Sequence, residues 1–198
     1  MTSSDIFEGI AAVSQLGMAI AVGLGVAVAF FQLRAGRQER TFQRRGELAE
    51  DLAVAISLVE DAFKNMRNPF DTVPAERTQD RVFIYQKRYE RISDSNDAFN
   101  RLREIQVRWD AVCPHVTIKS NVTALHNFRK DIAIAVETLV EDAKDNHDRV
   151  PKDELNDAHD KLFGFWGDRD EFGQKIESDM QIIRNAINVV SKQTGLSK

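Results

Sequence analysis

The sequence predicts an all-α protein, with one N-terminal transmembrane helix followed by a cytoplasmic antiparallel helical bundle with coiled-coil-like packing. Three observations predict it. From Gly9 to Leu33 the chain runs for 25 residues with no ionisable side chain. Beyond that stretch, apolar residues recur at steps of three and four almost to the C-terminus, the period of an amphipathic helix. No segment alternates apolar and polar residues as a half-buried strand would, which argues against a parallel-sheet enzyme.

The apolar stretch comes first. At 1.5 Å per residue it reaches roughly 37 Å, enough to cross a hydrocarbon core of about 30 Å with some tilt. Ser14, Gln15 and Gln32 lie towards its ends, within reach of headgroups. A cleaved signal peptide would start with positive charge, but the first eight residues hold Asp5 and Glu8 and no Lys or Arg. The positive charge follows instead, at Arg34, Arg37, Arg40, Arg44 and Arg45. Those arginines set the orientation, N-terminus outside and C-terminal domain in the cytoplasm, and belong beside anionic lipid. The triplet Asn121-Val122-Thr123 would then face the wrong side of the membrane for glycosylation.

Within the span, Gly17, Ala21, Gly25 and Ala29 recur every four residues, and Ala19, Gly23 and Ala27 form a second such row. Small residues at this spacing let two helix backbones approach closely, so they are expected to pack a second copy in the membrane. With no ionisable ring in the span, a conducting pore is not expected.

The organisation read from the sequence is a short tail at 1–8, the span at 9–33, a basic juxtamembrane segment at 34–46 and a cytoplasmic bundle at 47–198. Gly36 and Gly46 are the places where the first helix could bend. Leu48, Leu52, Ile56, Val59 and Phe63 mark an apolar stripe over 47–66. Asn68-Pro69 and Val73-Pro74 make the loop after it, because proline disfavours helix in the residue before it.

A second helix is expected from Ala75, with apolar contacts from Val82 to Trp109. The run Ser93-Asp94-Ser95-Asn96-Asp97 is placed to kink or interrupt it, since these side chains compete for backbone groups. Cys113-Pro114 ends it. A third helix is expected over Ser120 to Lys144, a shorter one from Pro151 to about Gly164, and a last one marked by Phe172, Ile176, Met180, Ile183, Ile187 and Val190.

Composition narrows the function. The chain has 198 residues, formal net charge −4 and one cysteine. No internal disulfide and no Cys₄ or Cys₂His₂ zinc site is open to it. The acidic balance gives no general attraction to nucleic acid. Phosphate-binding glycine loops, the nucleophile elbow and the H-E-x-x-H zinc motif do not occur. Cys113 and His115 stand two residues apart across a proline, a poor geometry for activating a thiol.

The acidic segment with Asp145, His147, Asp148, Asp153, Glu154, Asp157, His159 and Asp160 has metal-ligand chemistry but lacks the Glu-x-x-His pairing of a di-iron site, so a solvated face is expected. No cofactor, metal or catalytic residue is assigned.

Charge is unevenly spread. Residues 34–46 hold five Arg against one Glu, and residues 137–171 hold twelve acids against five bases. Between them, Arg77, Arg81, Tyr85, Arg88 and Tyr89 head a basic and aromatic interleaving that continues to Trp109. Arginine forks and aromatic faces suit phosphates and bases. The same pattern fits a salt-bridged helix with aromatic core contacts, given Asp80, Glu90, Asp94, Asp97 and Glu104 among them.

The layout, with Phe-Phe-Gln-Leu-Arg at 30–34, an arginine-rich helix and a charged helical body, is similar to that of uncharacterised small bacterial single-pass membrane proteins. It implies no activity and carries no site residue across. The expectation is a non-enzymatic inner-membrane protein whose cytoplasmic bundle binds a protein partner or another copy of itself. The alternative is a nucleotide-sensing membrane effector that oligomerises through its transmembrane helix.

Overall fold

A computed structural model describes residues 3–70, 73–144, 150–164 and 170–193, and at 3–17 and 19–21 it describes the backbone without the side chains. All the regular structure among these residues is helical. The chain divides into two compact units, Met1–Arg44 and Arg45–Lys198.

Helix α1 runs from Ser3 to Met66 and contributes to both units. Neither Gly36 nor Gly46 interrupts it. A glycine costs a helix only about 1 kcal/mol relative to alanine, which the i to i−4 ladder around it absorbs. In the first unit, the described side chains from Val22 to Leu33 are exposed. Among the described residues no helix is long and apolar enough to cross a membrane. The expected span falls partly on 9–17 and 19–21, whose side chains lie outside the described residues.

In the second unit, the expected stripe of α1 is the core. Leu48, Leu52, Ile56, Val59 and Phe63 are all buried, joined by Ala49, Ala55 and Met66. Asn68-Pro69 ends the helix, and Asn68 Oδ1 accepts a hydrogen bond from the Phe70 N–H at 2.9 Å. The second helix starts later than its apolar spacing suggests. Residues Ala75–Arg77 close a single 3₁₀ turn after Pro74. Helix α2 (Arg81–Asp94) begins only where Asp80 caps it, accepting from the Phe83 N–H at 3.0 Å.

The interruption expected at 93–97 falls on Ser95, between α2 and α3 (Asn96–Val112). Its hydroxyl donates to the Ile92 carbonyl at 2.6 Å, diverting a backbone acceptor from the ladder. Cys113-Pro114 ends α3. There the Trp109 indole, fully buried, donates to the Val116 carbonyl at 2.7 Å and closes the loop.

Helix α4 (Lys119–Lys144) packs against α2, α3, α5 (Lys152–Leu162) and α6 (Glu171–Gln193), so it is the centre of the bundle. Phe128 meets Phe172 edge-on at 5.4 Å, and Asn121 bonds Asp179 at 2.8 Å. Residue number rises along α4 as it falls along α6, so the two are antiparallel. The Arg67–Asp170 and Glu60–Arg184 pairs set α1 and α6 antiparallel by the same argument.

Candidate functional site

Four arginines organise the second unit by answering one physical demand. The last carbonyls of each helix lack N–H partners, and a cation is favoured at the negative end of the helix dipole. Arg67 donates to the carbonyls of Lys161 at 3.0 Å and Asp160 at 3.1 Å, at the end of α5. Arg88 donates to those of Asn68 at 3.0 Å and Pro69 at 3.1 Å, just past the end of α1. Arg91 reaches the Phe70 carbonyl at 3.0 Å in the same loop. Arg129 donates to the Ile92 carbonyl at 2.9 Å and the Ser95 hydroxyl at 3.1 Å, at the end of α2.

These contacts decide where the basic and aromatic interleaving points. Arg88 is only 1% exposed and lies over the Phe163 ring at 4.3 Å. Tyr85 is half-buried against the core, whereas Tyr89 is exposed and lines a shallow recess with Val136 and Val140 of α4. Arg77 stacks over Phe83 at 4.7 Å, and Arg81 opens α2. The five residues therefore do not form one outward surface. Arg88, at their centre, is turned inward onto backbone carbonyls.

A cleft of about 440 Å³ lies between the end of α1 and the start of α6. Phe63, Ile176 and Met180 give it an apolar floor. Arg67 and Asp170 close one end with two hydrogen bonds, at 2.7 and 2.8 Å. Asp170 also caps α6, accepting from the Gly173 N–H at 2.8 Å. Burial pushes its carboxyl pKa up, but the Arg67 hydrogen bonds, the Gly173 N–H and the Arg67 charge together hold it below the usual carboxylate value.

A side chain at the glycine on either side of this pair would displace it. A Cβ at Gly164 would stand 1.9 Å from Arg67 Nη2, and one at Gly173 would stand 2.2 Å from Asp170 Oδ2. At the rim, Glu60 pairs with Lys64 at 2.6 Å and with Arg184, which also holds Glu177 at 2.7 Å. The Lys64 hydrogen bond is the largest influence on Glu60 and keeps its carboxyl below the ordinary value. The rim charges thus compensate one another, and the cleft offers shape and apolar surface more than net charge.

The remaining candidates are placed as follows. Cys113 is buried. Burial raises its thiol pKa more than the nearby Arg45 charge lowers it, so the nucleophilic thiolate is disfavoured. Of the acidic segment, Asp145, His147 and Asp148 lie outside the described residues. Asp157 pairs with Lys161 at 2.6 Å, and His159 stacks on Phe163. Among the described residues no group of His, Cys, Asp or Glu is placed to hold a metal ion.

In the first unit Arg34, Arg37, Arg40 and Arg44 are exposed, while Arg45 is partly buried in the second unit near Cys113. Gly25 and Ala29 are exposed, with open space around Gly25. The side chains at Gly17 and Ala21 lie outside the described residues.

Sequence reasoning did not single out Arg67, Arg129 or Asp170. Asp170, three residues before Gly173 and just ahead of the last apolar stripe, is a cap signal that could have been read. The long-range partners of the two arginines leave no local trace. No protein-family model matches the chain, and comparison with curated proteins and with solved structures returns no match.

Proposed function

We propose that the chain is a non-enzymatic, single-pass inner-membrane protein. Residues 9–33 anchor it, the arginines after them keep the C-terminal side in the cytoplasm, and the helical bundle serves as an interaction module for a protein partner or a second copy. One observation carries the reading. Met18, Val22, Leu24, Val26, Val28, Phe30, Phe31 and Leu33, spread around one helix, are each 53% to 68% exposed in the isolated chain.

Full burial of such a side chain is worth about 1.5–3 kcal/mol, so leaving this set in water forgoes on the order of 10 kcal/mol. Lipid supplies the missing apolar surroundings on every side at once, which a single protein groove does not. The nucleotide-sensing alternative has less support, because the Arg88 guanidinium is already held by two carbonyls and an aromatic face.

The test is alkaline carbonate extraction of membranes containing the full chain, followed by protease treatment of sealed inside-out vesicles. The chain is expected to stay in the membrane pellet, with the bundle digested from the cytoplasmic face. Release by carbonate refutes the anchor, and protection of the bundle refutes the orientation.

A further inference from the structure

We propose that Arg34, Arg37, Arg40 and Arg44 form a one-sided docking surface for anionic phospholipid headgroups, and that Arg45 is not part of it. The inference rests on the membrane-anchor reading and adds the lipid chemistry that its cytoplasmic edge selects.

The geometry follows from the helix. Residues 34, 37, 40 and 44 lie in the continuous helix α1. At about 100° per residue, their positions fall within an arc of about 120° on one face. Glu39, the lone carboxylate of the 34–46 segment, falls on the opposite face. All four arginines are exposed. Among the described residues none of them shares an ion pair, whereas Arg67, Arg88, Arg101, Arg108, Arg129 and Arg184 of the second unit are tied to carbonyls or carboxylates.

Arg45 is adjacent in sequence but different in surroundings. It is partly buried, its Nε is shielded from solvent, and its charge acts on the buried Cys113. A run that reads as five equivalent cations is therefore four outward cations and one built into the bundle.

The chemistry fits a phosphodiester. A guanidinium presents parallel N–H donors that match two phosphate oxygens, and remains charged at any physiological pH. The arc begins one residue after the apolar row Val22 to Leu33, at the depth where a headgroup layer would follow a hydrocarbon layer. Phe30 and Phe31, both exposed, precede it at the level expected of interfacial aromatics. The apolar row and the cation arc thus present in sequence the two chemistries of a lipid leaflet.

The experiment reconstitutes the full chain into phosphatidylcholine vesicles containing a small fraction of spin-labelled phosphatidylglycerol or, separately, spin-labelled phosphatidylcholine. Flotation first tests the anchor. The spin-label spectra then give the preference for the anionic lipid at the protein surface.

The wild-type chain is expected to float with the vesicles and to prefer phosphatidylglycerol about fivefold, the size of one arginine contact with a charged headgroup. R34Q/R37Q/R40Q/R44Q should still float but show no preference. The four-lysine version should keep most of it, R45Q should keep all of it, and high salt should weaken it.

Failure to float with any vesicle overturns the anchor and this inference with it. Normal flotation with equal preference in wild type and the glutamine variant overturns the docking surface alone. A loss in R45Q equal to that of the glutamine variant overturns the division between arc and bundle.

Discussion

Replacing Arg67 with Met asks whether one ion pair fastens three helices. Arg67 and Asp170 have side chains 11% and 15% exposed. The guanidinium makes four hydrogen bonds, two to the carboxylate and two to the carbonyls ending α5. It also lies 5.3 Å from the centre of the Phe172 ring. Methionine keeps much of the aliphatic volume but none of the donors. It leaves Asp170 charged with only its cap to Gly173, and strips both carbonyls of α5.

Removing one partner of a buried pair costs about 3–5 kcal/mol. Because this pair retains some exposure, about 3 kcal/mol is expected, a fall in Tm of roughly 10 °C for a unit of this size. Asp170→Asn keeps an acceptor for Gly173 and should cost less, about 2 kcal/mol. The double variant should recover at least about 1 kcal/mol relative to the sum, because the second change removes a charge the first has stranded.

The assay is urea unfolding followed by far-ultraviolet circular dichroism. Acid titration adds an independent check. The folded pKa of Asp170 lies below its unfolded value of about 3.8, so its contribution is present above that pH and lost as pH falls through the folded value. Arg67→Met should flatten this acid limb. A stability within about 0.5 kcal/mol of wild type, or strict additivity in the cycle, refutes the argument.

Three further outcomes are expected. Gly173→Ala should destabilise by about 1–3 kcal/mol, because its Cβ meets a carboxylate pinned by Arg67. The same change in an Arg67→Met background should cost less, measured by the same urea titration. Trp109→Phe should cost about 1–3 kcal/mol, since it leaves the Val116 carbonyl without its donor, and Trp109→Ala about 3–5 kcal/mol for the cavity as well. A loss under about 0.5 kcal/mol in either would refute the packing described here.

His126 gives the third. Burial, then the charges of Arg103 and Arg129, hold its imidazole below the ordinary value of 6.5. Its contribution is therefore present above that pH and lost as pH falls through the folded value. His126→Phe should remove this part of the pH dependence while keeping the ring contact with Phe99, read as urea midpoints between about pH 7.5 and 5. An unchanged slope would contradict it.

Much of the second unit was legible because its signals are local. The stripes of α1 and α6 name most of their own buried residues, Ser95 breaks the helix through a hydroxyl three residues from its acceptor, and Pro151 stands directly before α5. The start of α2 was misplaced because Ala75–Arg77 forms one 3₁₀ turn and the cap that governs the helix lies at Asp80. The cleft was not legible. It is built from Arg67 and Asp170, 103 residues apart, and from two glycines whose need is visible only once the guanidinium is in place. Arg88 was the least legible, since a buried arginine and an exposed one have the same sequence surroundings.

That last point separates the two kinds of arginine in the chain. In the second unit the loop after α1 and the ends of α2 and α5 carry carbonyls that no backbone N–H satisfies, and Arg88, Arg91, Arg129 and Arg67 supply the donors. These cations belong to the fold, and removing their charge should cost stability. The four arginines of the 34–44 helix meet no such demand. Their helix is satisfied by its own ladder, the lone Glu39 lies across from them, and their exposure gives them no role in the core. Losing their charge should leave the urea midpoint of the bundle unchanged, whatever it does at a lipid surface. On the proposed membrane reading, a headgroup phosphate would supply the partner whose charge and geometry suit these four arginines.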